Sequence, residues 1–262
     1  MPTLEETLSN AGLTSPLTTL YELPGEKAYR LSVPSGDAMA TWQKLRDLVP
    51  QTRHWPVLLG EGPHLEDLLQ RLPEFANDPT QKTIQEGLKI DVRKWLEERH
   101  AERIDEWEMD DDERAELEEE EPKFRGIPQD DWPDDVPPRS DFYIPAQLAK
   151  DGQVCIALLP TQHSWHVPAL LRFGGWNDCP FTEEHVAMFR YWQGRFGAEV
   201  VGIAGDVVEM TVPKPPQDQN NALELAREQW IYCEEMVTEG TQTLEALAAS
   251  LLKANVWFFW WE

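Results

Sequence analysis

Apolar residues along this chain follow two rhythms, and each rhythm predicts a kind of element. Leu17 to Leu23 and Ala28 to Val33 are short β-prone runs separated by Pro24-Gly25, a turn signal. Asp37 is placed as the N-cap of a helix through Leu48, with Ala38, Trp42, Leu45 and Val49 on one face and Pro50 as its stop. Trp55 to Gly60 is a continuous apolar run closed by glycine, the pattern of a buried strand. Pro63 opens a short helix through Leu72, striped by Leu65, Leu68, Leu69 and Leu72. From Thr80 the period becomes helical for longer, through Ile84, Leu88, Val92 and Trp95. Beyond Leu96 it thins to Ile104 and Trp107 while the surroundings turn acidic, so the spacing predicts a helix that starts docked and then leaves the body.

The C-terminal part has the clearest pattern. Gln153 to Leu159 and His166 to Phe173 are read as strands. Thr182 is read as the N-cap of the next helix, with Phe181 and Val186 as a hydrophobic staple and Val186, Phe189, Trp192 and Phe196 as its buried face. Gly197 suits the left-handed position past its end. Glu199 to Ala204 and Val207 to Val212 flank Gly205-Asp206, a hairpin signal, with Glu209 and Thr211 on the polar side of the second strand. Helices follow at about Ala222 to Cys233 and Leu244 to Lys253, the latter capped by Asn255. Val256 to Trp261 then returns to the sheet, with Trp257, Phe259 and Trp261 on one side and Phe258 and Trp260 on the other. The fold class expected is α+β: a mixed, partly antiparallel sheet with helices packed on it, plus an acidic helical insertion. The parts are residues 1–78, a strand-helix-strand portion of the core; 79–139, the insertion and a Pro-rich linker; and 140–262, a C-terminal α+β domain.

Charge changes this picture in one place. The chain of 262 residues has a net charge of −25. Residues 97 to 135 alone hold 19 acidic and 5 basic side chains. Asp110 and Arg114 are spaced to pair on a helix, the Glu118 to Glu121 run repels itself, and Pro122, Pro128, Pro133, Pro137 and Pro138 make a linker. A surface this acidic is repelled by phosphate backbones and anionic lipid, so no nucleic acid or membrane is expected as partner; a basic protein or a cation is compatible with it, and the plainer reading is that the charge only confers solubility. No apolar run approaches the roughly 20 residues of a membrane span. The acidic start, Met1 to Glu6, shows no secretory pattern, and three cysteines are too few for a disulfide framework. A cytoplasmic location with reduced thiols is expected.

Several motifs carry a resemblance. They are Gly174-Gly175-Trp176-Asn177-Asp178-Cys179-Pro180, then Tyr191-Trp192 with Phe196 to Glu199, then Pro215-Pro216 with Ala222 to Cys233, and the closing Trp257 to Trp261. Together they make the region of about 140–262 resemble a bacterial family catalogued as domain of unknown function 4253. The strand-helix-strand ending at Gly60 is similar to sequences that precede that domain. The resemblance implies a domain and no reaction.

Candidate chemistry centres on that glycine-rich loop. A loop leading into a helix N-terminus can cradle an anion or orient a thiolate, so Trp176, Asn177, Asp178 and Cys179 are candidate binding residues, with His185 as a base for Cys179 and Asp206 as a carboxylate. The plainer reading is a rigid turn in which Asn177 and Asp178 bond the backbone and Trp176 packs. Trp260 is a candidate contact if the terminal aromatics face a partner, although core packing accounts for most of them. His163, His166, Cys179 and His185 match no standard zinc spacing, and Asp110 to Glu113 lacks the glycine a calcium loop needs, Ala115 standing there; no metal is assigned. No phosphate-binding fingerprint or serine elbow is present, and no cofactor is expected.

The function expected is a non-catalytic binding or interaction protein. One concrete form is an immunity-type protein that neutralises a basic toxin by complementary charge. The alternative is a small-molecule-binding enzyme built on the Trp176 to Cys179 loop.

Overall fold

The β-prone runs become strands because each finds a neighbour in one sheet. The computed structural model describes residues 3–23, 25–72, 80–108, 132–133 and 135–262. Its seven strands are β1 (Thr18–Leu23), β2 (Glu26–Pro34), β3 (Trp55–Gly60), β4 (Gln153–Leu159), β5 (Glu199–Ala204), β6 (Val207–Thr211) and β7 (Val256–Trp260). They lie in the order β1-β2-β4-β3-β5-β6-β7, a mixed sheet in which only β3 and β5 run parallel. Central strands β3, β4 and β5 are buried almost throughout, as continuous apolar runs require when helices cover both faces. The fold is α+β, as the interspersed patterns predict.

The helices are α1 (Leu4–Asn10), α2 (Ala38–Asp47), α3 (Val49–Thr52), α4 (Pro63–Arg71), α5 (Thr80–Gly87), α6 (Val92–Glu108), α7 (Tyr143–Gln147), α8 (Val167–Leu171), α9 (Thr182–Phe196), α10 (Gln219–Tyr232) and α11 (Leu244–Leu251). Trp42 of α2 docks on β3, its indole N–H donating to the Pro56 carbonyl at 2.9 Å and its ring edge-on to Trp55. A second, larger aromatic cluster explains the closing motif. Trp192 of α9 stacks on Phe259 at 5.4 Å with an interplanar angle of 4° and meets Trp257 edge-on. Trp257, Phe259 and Trp261 are buried, whereas Phe258 and Trp260 on the other side are half-buried. Burying three such rings stabilises the fold by several kcal/mol, about 2–3 per large side chain.

Some expectations are corrected. His166 to Phe173 is not a strand: Ser164–His166 forms a 3-10 turn and α8 follows. A short apolar run is periodic enough for either state, and Pro168 in the first turn favours helix. Pro50 does not stop the helical path but opens α3, which ends at Arg53 in a left-handed conformation. The stripe from Ile84 to Trp95 is broken between α5, which ends at Gly87, and α6; at Gly87 a Cβ would come within 2.6 Å of the Glu183 carbonyl. The α9 cap is Phe181 rather than Thr182, and Phe181 is 62% exposed, so it forms no staple with buried Val186. Glu209 is on no outer face: it is fully buried and accepts from the N–H groups of Tyr143 and Ile144, at 2.9 Å for the latter. Leu252, not Asn255, caps α11. Helix α6 does not leave the body at Leu96, since Arg103 is still buried. The Asp110–Arg114 pair, the Asp110 to Glu113 calcium candidate, the Glu118 to Glu121 run, Pro122, Pro128 and the side chains of Ile104 and Trp107 lie outside the described residues. No helix among the described residues is long and apolar enough to cross a membrane.

Candidate functional site

The loop between α8 and α9 is closed by its own backbone. Gly175 N–H donates to the Pro180 carbonyl at 2.9 Å and Cys179 N–H to the Trp176 carbonyl at 2.8 Å. Gly174 has φ +109°, and a Cβ there would sit 2.7 Å from His185 Cδ2 and closer still to the Pro180 carbonyl. Only glycine combines that angle with that contact. Asn177 takes φ +45°, within reach of asparagine, and its amide donates to the Glu262 carbonyl at 2.5 Å.

Two arginines of α6 grip this loop. Arg99 donates to the Asp178 carboxylate at 2.9 Å and to the Asp178 and Ile231 carbonyls. Arg103, one turn on, lies 2.5 Å from Asp178 and 2.5 Å from Glu234. The spacing of four places both on one helical face, while Glu97, Glu98 and Glu102 stay exposed. Burial raises the Glu234 carboxyl above its ordinary range even though Arg103 opposes the shift.

Behind the loop a buried path runs through three side chains. Cys179 Sγ is 3.4 Å from His185 Nε2, and His185 Nδ1 is 2.6 Å from Tyr232 Oη. Burial pushes His185 down to about 3, with Arg99 adding to the effect and a hydrogen bond to the Pro180 carbonyl opposing it. Burial also pushes the Cys179 thiol and the Tyr232 phenol well up. All three are therefore neutral at physiological pH. A thiolate nucleophile needs the opposite, an electropositive and partly open setting.

In front of the loop lies a cleft of about 380 Å³ between α6 and the start of α9. Glu98, Glu102, Asp178 and Glu184 supply its carboxylates, and Trp95 and Phe181 its aromatic wall. Trp95 donates from its indole N–H to Glu184 at 2.7 Å. Lys94 pairs with Glu98 at 2.7 Å on the exposed side, a weak contact in water. Arg99 also lines the cleft and is paired with Asp178, so Glu98, Glu102 and Glu184 give it its acidic character beside the aromatic wall.

Of the residues singled out from sequence, Asn177, Asp178 and Cys179 line this cleft, and His185 stands behind Cys179. Trp176 and Asp206 line a different cleft of about 410 Å³ with His64, Asp67 and Arg71. Trp260 lies away from both, half-buried beside Phe258, its carbonyl accepting from the Cys233 thiol at 3.0 Å. His166 ends the 3-10 turn and His163 caps its start, their rings 5.1 Å apart. Among the described residues no group of three His, Cys, Asp or Glu side chains is placed to hold a metal ion. Sequence reasoning missed Arg99, Arg103, Tyr232 and Glu234. The signal for the arginines was present: two cations four apart, on one face, inside an acidic run.

Residues 155–262 match the model of a family described as a domain of unknown function (DUF4253). The match begins inside β4 and runs through β7, so it contains the loop, α9 and the aromatic cluster. No curated protein and no solved structure matches the chain.

Proposed function

We propose that this is a non-catalytic binding protein for a basic protein partner, engaged through the acidic, aromatic cleft between α6 and α9. The observation that carries the reading is Phe181, 62% exposed beside Trp95, Glu98, Glu102 and Glu184. An exposed ring among carboxylates suits an arginine or lysine side chain, which gains both cation–π and ionic contacts there. Helix α6 extends the same character outward. Arg99 and Arg103 are turned in to Asp178 and Glu234, which leaves Glu97 and Glu102 exposed without them, and the 97–135 stretch adds to the field that would steer a cation. An immunity-type protein is one form of such binding.

The test is capture from native-host lysate at low salt, followed by affinity measurement with the purified partner. A basic protein held by the full chain, released by salt, and lost in Phe181→Ala and Glu102→Lys variants supports the reading. Retention indifferent to salt and to both substitutions overturns it.

A small-molecule enzyme on the same loop is the second reading, favoured by the contiguous Tyr232–His185–Cys179 path to the cleft wall. The neutral state of all three groups weighs against it.

A further inference from the structure

A second cleft, of about 600 Å³, lies where the C-terminal end of β4, the 3-10 turn and the start of α5 meet. Its polar lining is Arg53, Thr80, Gln81, Thr161, Gln162, His163 and His166, and Ile84 and Leu170 give it an apolar floor. Among the described residues the lining holds no carboxylate. In a chain with 48 acidic and 23 basic side chains that is a local reversal of charge.

Two buried polar atoms in this lining have no hydrogen-bond partner among the described residues: Thr80 Oγ1 and His166 Nε2. Thr80 is only 4% exposed. The His166 ring is fixed from its other side, with Nδ1 2.8 Å from Thr161 Oγ1. A buried hydroxyl and a buried ring nitrogen left unpaired are costly, on the order of 1–3 kcal/mol each, unless something answers them. Thr80 also begins α5, whose first N–H groups have no acceptor within the helix and present partial positive charge. Arg53, on the exposed rim, forms no ion pair among the described residues.

We propose that this cleft binds a small molecule carrying an anionic oxygen group, a phosphate or a carboxylate. The group sits at the start of α5, where it accepts from Thr80 Oγ1 and from the helix N–H groups and pairs with Arg53. The rest of the molecule lies over Ile84 and Leu170 and meets His166 Nε2. This site is independent of the protein-binding cleft and does not rest on it.

The test is ligand titration of the full chain, observed through the histidine ring resonances, with three probes: glycerol 3-phosphate, glycerate and inorganic phosphate. Neutral glycerol is the control. The expected result is saturable movement of the His166 signals by at least one organic anion and none by glycerol. Arg53→Gln and Thr80→Val, each checked for native circular dichroism, should weaken that binding at least about tenfold. Preference between glycerol 3-phosphate and glycerate then assigns phosphate or carboxylate, and equal binding of inorganic phosphate assigns the free ion. The proposal is overturned if no probe moves His166 up to about 10 mM, if glycerol acts like the anions, or if binding survives both substitutions unchanged.

Discussion

Cys179 is held as a thiol by what surrounds it. Its sulfur faces a neutral imidazole, and burial raises its pKa. Alkylation by iodoacetamide at pH 8 should therefore be slow in the native chain and should accelerate by orders of magnitude in denaturant. Mass spectrometry of residue 179 reads this directly, and equal rates in the two states would refute the assignment. His185 makes a pH prediction. Its folded value of about 3 lies below the ordinary value near 6.5, so between those limits the unfolded chain binds a proton that the folded chain does not. Stability contributed by neutral His185 is complete above pH 6.5 and is lost as pH falls, by about 1.4 kcal/mol per unit. His185→Gln removes that titration. The gap in urea stability between the native chain and the variant should narrow from pH 7 to pH 5, and a constant gap would sink the argument. The candidate loop was legible at this scale because its glycines and Asx residues advertise a turn. Tyr232 was not, since it lies 47 positions from His185 and shares no pattern with it.

At the scale of elements, α6 shows what a stripe of apolar residues leaves out. The hydrophobic period fades after Leu96, yet the helix stays docked by ion pairs through Arg103. Arg103→Met removes the cation that faces both Asp178 and Glu234. It should destabilise the fold by about 2 kcal/mol, because Glu234 loses its cation while Asp178, about a third exposed, keeps Arg99. Denaturant unfolding of that variant, beside an Arg93→Met control on the exposed side, measures it. A loss under about 1 kcal/mol would mean that the clamp is ornamental. Most strands and their order in sequence could be read from period and turn residues, as β5, Gly205-Asp206 and β6 show. The failures have physical causes. Helix α8 is a five-residue apolar run, too short for its period to separate helix from strand. Glu209 alternates as an outward residue, but α7 covers that face and supplies the N–H groups that make burial of a carboxylate tolerable. Gly202 belongs to the same contact: a Cβ there would lie 2.5 Å from Ile144 Cδ1, so the strand must be bare where α7 seats.

For the molecule as a whole, the sheet joins segments that the family match separates. The matched region begins in β4, but the two neighbours of β4 are β2 and β3, both from the first 60 residues. Residues 140–262 expressed alone would leave β4 without a partner and β5 without its parallel neighbour. We expect that fragment to lack a cooperative thermal transition and to bind a hydrophobic dye, whereas co-expression with residues 1–108 should restore folding. A sharp melt from the fragment alone would show instead that β5 to β7 with their helices suffice.

The same strand order has a consequence for synthesis. β3 leaves the ribosome with its central neighbour still about 90 residues away. At about 5–20 residues per second, several seconds pass before β4 arrives to close the sheet. Throughout that interval the free edge of β2, whose other edge pairs with β1, and both edges of the water-averse β3 have no strand to pair with. The most acidic stretch of the chain is translated in that same gap. Its charge emerges just when mutual repulsion between neighbouring nascent chains on a polysome is most useful.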